Sequence, residues 1–329
     1  MPTRREFTPD EILETASGYQ KSRLILTAFE LDVFTAIGND SLSSEEIARA
    51  IQAKHRSTDR LLNALCAVGL LRKERGLFSN TPASLRYLVR GGEGYLSRLG
   101  HMIAQFRSWA TLTEAVKAGR SVTAREYDEV SLIRFIEAMH ARAASGADKV
   151  VSLIGVSGVR RMLDVGGGSG VYSIAFARAD NNLTAVVFDL PKVIPIAERY
   201  IAAAGLSDRV TTMAGDYRRD DFGAGYDLVF MSAIIHINSP EENRALVAKA
   251  FRCLNPGGRI VIQDFIMNED RTAPERGALF ALNMLVNTEH GDTYTENEIR
   301  DWLLAAGFAD IRRIGEAPER DFIIGGKPE

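Results

Sequence analysis

The sequence predicts an α/β fold built on a doubly wound parallel sheet, preceded by a smaller, mainly helical domain. From residue 160 onward, short apolar strands alternate with helical segments, which is typical of a parallel sheet covered by helices on both faces. The first of these strands, RMLDV, runs directly into the glycine-rich turn GGGSG at residues 166–170. The chain has 329 residues, which is enough for two domains of roughly 100–200 residues each.

The N-terminal part is predicted to form a helix, a turn, a second helix and a hairpin. Ser43 followed by Glu46 makes a capping box at the start of a helix. Further along, LLRKERGLFSNT places two short strands around a turn at Arg75 and Gly76. This order of elements is typical of a winged helix. The predicted divisions are a winged-helix domain at residues 1–95, a helical linker at 96–157 and the α/β domain at 158–329.

Composition excludes several classes of protein. The chain has 40 basic and 43 acidic residues, so its net charge of −3 gives no general attraction for nucleic acid or anionic membranes. Its two cysteines, Cys66 and Cys253, suit a reducing compartment and form no CxxC metal motif. Neither a signal peptide nor a run of about 18 apolar residues is present, so we expect a cytoplasmic protein without a spanning helix.

The glycine-rich turn predicts a nucleotide-type ligand. A strand that turns through Gly166, Gly168 and Gly170 into a helix brings bare backbone N–H groups against a ligand. The dinucleotide motif GxGxx(G/A) is not met, because its last position is Val171, and the run is instead DxGxGxG beginning at Asp164. A ligand that carries an ammonium group and no diphosphate fits this pattern, and S-adenosylmethionine is such a ligand.

Two further acidic positions follow the next two strands. Asp189 ends the strand AVVFD nineteen residues after Gly170, near the offset of ~20 residues at which an acid reaches ribose hydroxyls. Asp216 and Tyr217 end the third strand and offer an acceptor for an exocyclic amine and a ring to lie against a purine. Three such positions at successive strand ends predict a site for an adenosyl group.

The segments LDVGGGSG, FDLP, GDY, DLVFMSAIIH and CLNPGGRIVIQDF resemble the core of the winged-helix, small-molecule O-methyltransferases. That family includes plant caffeic-acid-type and hydroxyindole-type enzymes and many bacterial natural-product enzymes, and the resemblance covers nearly the whole chain. It implies a Rossmann-like methyltransferase core, S-adenosylmethionine as cofactor, and a homodimer formed through the N-terminal domain, whose partner completes the substrate pocket. The implied cofactor-binding residues are Gly166, Gly168, Asp189, Leu190, Asp216, Tyr217 and Ser232, the last standing where relatives often have lysine.

The resemblance also implies a general base. His236 follows the fourth strand at the position of the family's catalytic histidine, and an imidazole can accept a proton near neutral pH. In relatives this histidine begins a His-Asp-Trp run, whereas Ile237 and Asn238 stand in the second and third places here. We expect His236 to remove a proton from a small hydroxylated, aromatic or conjugated acceptor.

A second catalytic residue is expected in the segment NTEHGDTYTENE. Relatives orient the histidine with a glutamate in a GGKERT-like segment, and alignment places Thr293 there. Glu289 is therefore predicted as the orienting carboxylate, with Asp292 as a nearby substitute. Apolar and amide side chains at helical spacing predict the acceptor pocket, namely Phe135, Met139, Phe280, Asn283 and Met284.

Two alternatives remain open from the sequence. His236 and His290 could hold a metal ion that assists C-methylation of an enolisable keto acid, although no complete metal site is predicted. The winged helix could instead bind DNA through Arg56, Arg60 and Asn63 on its second helix, with the α/β domain acting as a cofactor sensor.

Overall fold

A computed structural model of the chain describes residues 6–123, 129–315 and 321–329. The chain divides into two compact units, Met1–Phe106 and Arg107–Glu329. The finer division expected at residues 95 and 157 stays a prediction. In the part of the chain that is described, no helix is long and apolar enough to cross a membrane.

The first unit contains the predicted helix, turn, helix and hairpin. Ser43 and Glu46 form the predicted capping box, and the hairpin turns at Arg75 and Gly76, which both have positive φ, 49° and 84°. Its described residues form a small sheet in the order β1-β3-β2. The winged-helix assignment itself stays a prediction. The elements are α1 (Pro9–Ser17), α2 (Tyr19–Glu30), α3 (Val33–Ile37), β1 (Leu42–Ser43), α4 (Ser44–Ala50), α5 (His55–Ala67), β2 (Leu71–Glu74), β3 (Leu77–Asn80), α6 (Pro82–Tyr87) and α7 (Leu99–Trp109), which ends in the second unit.

The second unit is the predicted α/β domain. Its described strands form a seven-stranded sheet in the order β11-β12-β8-β7-β4-β5-β6, in which β8, β7, β4, β5 and β6 run parallel and β12 and β11 join antiparallel at one edge. The elements are α8 (Leu112–Ala118), α9 (Glu129–Ala144), α10 (Ala147–Ile154), β4 (Arg161–Val165), α11 (Val171–Ala179), β5 (Thr184–Asp189), α12 (Ile194–Ala203), β6 (Val210–Ala214), β7 (Tyr226–Ser232), α13 (Pro240–Cys253), β8 (Leu254–Asp264), β9 (Ile266–Met267), α14 (Glu275–Asn287), β10 (Tyr294–Thr295), α15 (Glu296–Ala306), β11 (Ala309–Ile314) and β12 (Asp321–Gly326).

Apolar residues are buried on both faces of this sheet, as the alternating pattern predicts. One face packs against α13 and α15, with Leu246 and Trp302 in its core, and the other packs against α10 and α11, with Phe176 in its core. The strands themselves are apolar on both sides, which is typical of parallel sheets covered by helices.

The strand order determines where a ligand can lie. β4 has β5 on one side and β7 on the other, so the connections that leave these strands run to opposite faces and open a crevice at their carboxyl ends. The glycine-rich turn follows β4, and His236 follows β7. The fold therefore brings the two main predicted features to neighbouring strand ends.

Candidate active site

The glycine-rich turn has a backbone conformation that glycine adopts readily. Gly166, Gly168 and Gly170 have φ of 66°, 57° and 73°, in the left-handed region that side chains disfavour. A Cβ atom added at Gly166 would lie 2.1 Å from Cδ1 of Ile234, so that side chain packs directly on the turn. At Gly168 the nearest atom within 4 Å would be Cδ1 of Ile136 at 3.9 Å, an ordinary van der Waals contact, so an added Cβ would meet no clash there.

Asp164 supports this turn from the buried side. Its carboxylate Oδ2 accepts a hydrogen bond of 2.8 Å from Ser173 Oγ, and a Cβ at Gly167 would lie 2.8 Å from its Cγ. Complete burial raises the pKa of Asp164 to about 7. Asp164 therefore acts on the shape of the turn and is not exposed to a ligand.

Asp189 ties the second strand to the glycine-rich turn. Its Oδ2 accepts the Gly168 N–H at 2.8 Å and its Oδ1 accepts the Leu190 N–H at 2.7 Å. Burial raises the pKa of Asp189, although both hydrogen bonds favour its charged form. Each carboxylate oxygen has a second lone pair, so the group can still accept hydrogen bonds from ribose hydroxyls.

Asp216 and Tyr217 lie at the end of β6. Burial acts to raise the pKa of Asp216, but the hydrogen bonds and charge of Arg218 outweigh it, and the pKa is lowered. Arg218 Nε lies 3.2 Å from Asp216 Oδ1. Tyr217 donates its hydroxyl hydrogen to Asn238 Oδ1 at 2.7 Å, and burial raises its pKa to about 12.

These groups together suit S-adenosylmethionine. The backbone at Gly168 has no close neighbour that would block a ligand, and Asp189 and Asp216 follow two neighbouring strands, where carboxylates can accept hydrogen bonds from hydroxyl and amine groups. Ser232, also predicted here, donates to Gln263 Oε1 at 2.9 Å, so its hydroxyl is joined to β8. Leu190 belongs to an apolar cluster that also contains Phe135 of α9.

One residue at this turn was not predicted from the sequence. His140 of α9 lies with its Nδ1 2.8 Å from Ser169 Oγ, inside the run GGGSG. Its ring stacks on Tyr200 with centroids 3.9 Å apart, and burial lowers its pKa. Helix α9 therefore contacts the glycine-rich turn through a hydrogen bond between side chains.

His236 is buried beside a carboxylate. It lies on a single helical turn, Ile235–Ile237, and its side chain is 9% exposed. Its Nδ1 lies 2.8 and 2.9 Å from the two carboxylate oxygens of Asp264, a residue that is 1% exposed and ends β8. Asp264 Oδ1 also accepts the Phe265 N–H at 2.8 Å, which fixes the carboxylate.

The carboxylate that contacts His236 is thus Asp264, and not Glu289, which was expected in this place. The side chain of Glu289 is 84% exposed and lies 3.7 Å from His290 Nε2. Asp292, the expected substitute, pairs with Arg271 at 3.2 Å. The signal that could have found Asp264 is its place in QDF at the end of β8, because β8 lies beside β7 in the sheet and Gln263 is in register with Ser232.

His290 differs from His236 in its exposure and in its ion-pair partner. Its side chain is 55% exposed, and its ion-pair partner is Glu289. Across residues 6–123, 129–315 and 321–329, no group of three or more His, Cys, Asp or Glu side chains is arranged to hold a metal ion.

An aromatic wall adjoins the imidazole. The ring of Phe280 meets the His236 ring edge-on with centroids 4.8 Å apart, and the Phe265 ring lies 4.5 Å from that of Phe280. On the same helix, Asn283 accepts a hydrogen bond of 3.0 Å from Trp109 Nε1, and Met284 is buried. Of the predicted pocket residues, Phe280 thus contacts the imidazole. The two on α9, Phe135 and Met139, are half-buried.

Comparison with known proteins agrees with these features. Residues 98–309 match the O-methyltransferase domain, and residues 13–90 match the O-methyltransferase dimerisation domain. The second match identifies the N-terminal region as a dimerisation domain. The alternative left open by the sequence was that this region binds DNA. Within that region, the Asn63 side chain is bonded to Asp59 and Lys73.

The chain is 31% identical to the 3-hydroxy-5-methyl-1-naphthoate 3-O-methyltransferase of Streptomyces sahachiroi, over 97% of this chain and 95% of that protein. It is 29% identical to the tetracenomycin polyketide synthesis 8-O-methyl transferase TcmO of Streptomyces glaucescens, over 97% of each. The solved structure of PigF with SAH matches with a TM-score of 0.89 and 26% identity, covering 98% of this chain and 100% of that one. The chain therefore belongs to the S-adenosylmethionine-dependent O-methyltransferases that join this catalytic domain to an N-terminal dimerisation domain.

Proposed function

We propose that the protein methylates a hydroxyl group of a small aromatic metabolite and that His236 removes the hydroxyl proton. The observation that carries this proposal is the buried pair of His236 and Asp264 at the ends of β7 and β8. The pair lies next to the glycine-rich turn, because Ile234, two residues before His236, packs on Gly166.

Asp264 determines which imidazole nitrogen can act. A carboxylate at 2.8 Å from Nδ1 holds the proton of the neutral ring on that nitrogen. The lone pair of Nε2 is then directed away from Asp264 and can accept a proton from the acceptor. After proton transfer, the same carboxylate stabilises the imidazolium ion.

The cofactor, when bound, supplies a methyl group on a positively charged sulfur. The protein must place the acceptor hydroxyl in line with that methyl group, exclude water and accept the proton. A free phenol has a pKa near 10, so its proton must be removed as the new bond to carbon forms. His236 is the buried base available at this edge of the sheet.

The shape of the site supports an aromatic acceptor. Phe280 and Phe265 form a wall next to the imidazole, and aromatic rings pack favourably on such surfaces. One relative is named for methylation of a hydroxynaphthoate at oxygen, which supports the same class. We include Met139, Asn283 and Met284 in the proposed acceptor pocket.

The proposed cofactor contacts lie at the same edge of the sheet. We propose that Gly166 and Gly168 approach the amino-acid end of the cofactor and that Asp189 accepts hydrogen bonds from its ribose. Leu190, Tyr217 and Asp216 would enclose the adenine. The matched dimerisation domain supports a homodimer, in which we propose that the partner completes the acceptor pocket.

Methyl transfer can be tested with S-adenosylmethionine labelled in its methyl group and a panel of 3-hydroxy-1-naphthoate, catechol and 4-hydroxyphenylpyruvate. We expect the label in a methyl ether of an aromatic acceptor. His236→Ala should lower kcat by about 10²–10⁴ and leave the affinity for S-adenosylhomocysteine unchanged, because the base acts only on the acceptor.

His290→Ala is the matched control, since this imidazole is exposed, and its kcat should stay within about twofold of wild type. Label attached to carbon, or full activity of His236→Ala, would contradict the proposal. Loss of activity in His290→Ala would favour the metal-assisted alternative.

A further inference from the structure

The turn that carries His236 is held by three linked side-chain hydrogen bonds, which are buried or partly buried. Tyr217 Oη donates to Asn238 Oδ1 at 2.7 Å, and Asn238 Nδ2 donates to Asn243 Oδ1 at 3.1 Å. Asn243 Nδ2 then donates to the backbone carbonyl of Ile235 at 2.9 Å. These three hydrogen bonds connect the end of β6, through α13, to the residue before His236.

A second side chain holds the other end of the same turn. Tyr294 of β10 donates its hydroxyl hydrogen to the carbonyl of Asn238 at 2.5 Å. β10 pairs with β9, where Tyr294 is in register with Ile266, two residues after Asp264. The carbonyls of Ile235 and Asn238, on either side of His236, are therefore each bonded to a buried side chain.

The carbonyl of His236 itself is packed closely. A Cβ added at Gly291 would lie 2.4 Å from His236 O and 3.2 Å from Ile237 O. Gly291 N–H is bonded to Thr288 Oγ1 at 3.0 Å, which fixes the approaching backbone. Only a glycine allows this approach without displacement of the turn.

Burial gives this network its rigidity. Asn238 is 2% exposed, Asn243 is 0% exposed and Tyr294 is 1% exposed. Polar groups buried to this extent lose their contacts with water, so each must keep its protein partner. A fully bonded buried network fixes one geometry, because any shift leaves a donor or acceptor unpaired. Asn238 also stands where the family that the sequence resembles has tryptophan, so this chain differs from that family in having a buried amide here.

We propose that Asn238, Asn243 and Tyr294 are positioning residues that hold the turn so that the His236 imidazole stays against Asp264 and presents Nε2 to the acceptor. Tyr217 joins this network to the cofactor end of β6. The inference rests on the proposed function in that His236 is the base. The orientation of the imidazole can nevertheless be measured without methyl transfer.

Tyr294→Phe removes one hydroxyl from the network and leaves the ring in place. Its matched control is Tyr226→Phe, because Tyr226 is likewise buried and its hydroxyl also donates to a backbone carbonyl, that of Phe222 at 3.0 Å. Asn243→Ala, which removes the bond to Ile235 O, is a second variant. If the two tyrosine variants lose the same thermal stability, a difference between them in kcat or in the His236 signals does not come from stability.

NMR of the full-length protein labelled at histidine gives the first readout. The chain has five histidines, and His236→Ala identifies the signal of interest. With S-adenosylhomocysteine bound, Tyr294→Phe and Asn243→Ala should shift the His236 ring signals and speed exchange of its Nδ1 proton, whereas Tyr226→Phe should leave both unchanged. Unchanged His236 signals in Tyr294→Phe and Asn243→Ala would overturn the inference.

Kinetics with the acceptor that is methylated fastest in the panel gives the second readout. Tyr294→Phe should lower kcat by about fivefold to tenfold with KM for the acceptor within twofold, in line with the net value of one hydrogen bond. In a His236→Ala background the same change should have no further effect. An equal loss in both backgrounds overturns the positioning role alone, whereas full activity of His236→Ala overturns the proposed function.

Discussion

The glycine-rich turn after β4 and the imidazole turn after β7 lie at neighbouring strand ends but are stabilised in different ways. The glycine-rich turn depends on backbone conformation and close packing, with positive φ at three glycines and Ile234 against Gly166. The imidazole turn depends on side-chain hydrogen bonds from Asp264, Asn243 and Tyr294. An added carbon atom should therefore damage the first, and removal of a single polar atom should damage the second.

The two regions also differ in how they use carboxylates. Asp164 beneath the glycine-rich turn is bonded to the neutral hydroxyl of Ser173, and burial raises its pKa to about 7. Asp264 is bonded to an imidazole, which can become positively charged during the reaction. The first carboxyl group therefore shapes the glycine-rich turn, whereas in the proposed mechanism the second one supports proton transfer.

The largest expected effect is on the imidazole side. Asp264→Asn should lower kcat by about 10²–10³, because an amide can present its N–H group to Nδ1 and stabilise the wrong imidazole tautomer. Affinity for S-adenosylhomocysteine, measured by calorimetry, should change less than about threefold. Glu289→Gln is the control and should keep wild-type kcat, since that carboxylate is exposed. A larger loss in Glu289→Gln than in Asp264→Asn would reverse the assignment.

The next effect concerns the pH dependence of stability on the glycine side. Because the pKa of Asp164 is raised from 3.8 to about 7, the folded protein keeps a proton there that the unfolded chain releases. The stability from this proton is fully present below about pH 4 and is lost as the pH rises to about 7. In urea unfolding, the stability of Asp164→Asn relative to wild type should rise over this range by on the order of a few kcal/mol.

Asp208→Asn, at an exposed position, is the control for that series. Its stability relative to wild type should be flat over the same range. A flat difference for Asp164→Asn as well would show that Asp164 is ionised in the folded protein throughout.

A steric test separates the two kinds of stabilisation. Gly166→Ala places a Cβ 2.1 Å from Ile234 Cδ1 at a φ of 66°, and should weaken S-adenosylhomocysteine binding by about tenfold or more. Gly205→Ala is the matched control, because Gly205 has a φ of 69° with nothing within 4 Å of an added Cβ. Calorimetry should show that the control variant binds as wild type does. Equal losses in the two variants would mean that φ, and not packing, limits the turn.

The smallest effect is expected at the contact of α9 with the glycine-rich turn. Ser169→Ala removes the hydrogen bond to His140 and should weaken S-adenosylhomocysteine binding by about fivefold, which corresponds to one hydrogen bond of about 1 kcal/mol. His140→Phe should give a similar loss, and the double variant should lose no more than either alone. Additive losses would show that the two side chains act separately.

Much of the glycine side could be predicted from the sequence. The spacing of Gly166, Gly168 and Gly170 after a buried strand predicted the turn, and the offset of Asp189 predicted an acid at the end of the next strand. The ribose contact of Asp189 stays a prediction. These signals are local, because the glycines that form the pattern in the sequence are the residues that form the turn. The hairpin at Arg75 and Gly76 was predictable for the same reason.

The partners of His236 could not be predicted in this way. Asp264 lies 28 residues beyond His236, and Tyr294 lies 56 residues beyond Asn238, so only the strand order brings them together. Alignment placed Thr293 at the family's glutamate, and Glu289 was predicted because it lies nearby in the sequence. In the structure this segment packs its backbone, at Gly291, against the imidazole turn, and Glu289 is exposed. No periodic pattern in the sequence predicts the contact of His140 with Ser169.

In the proposed mechanism, the Nε2 atom of His236 faces the acceptor beside the cofactor. The most direct measurement is a crystal structure of the protein with S-adenosylhomocysteine and 3-hydroxy-1-naphthoate. We expect Nε2 at about 2.6–3.2 Å from the acceptor hydroxyl, Nδ1 on Asp264, and the hydroxyl oxygen directed at the sulfur over the glycine-rich turn. A bound cofactor with the acceptor hydroxyl out of reach of His236, or an imidazole turned away from it, would contradict the account.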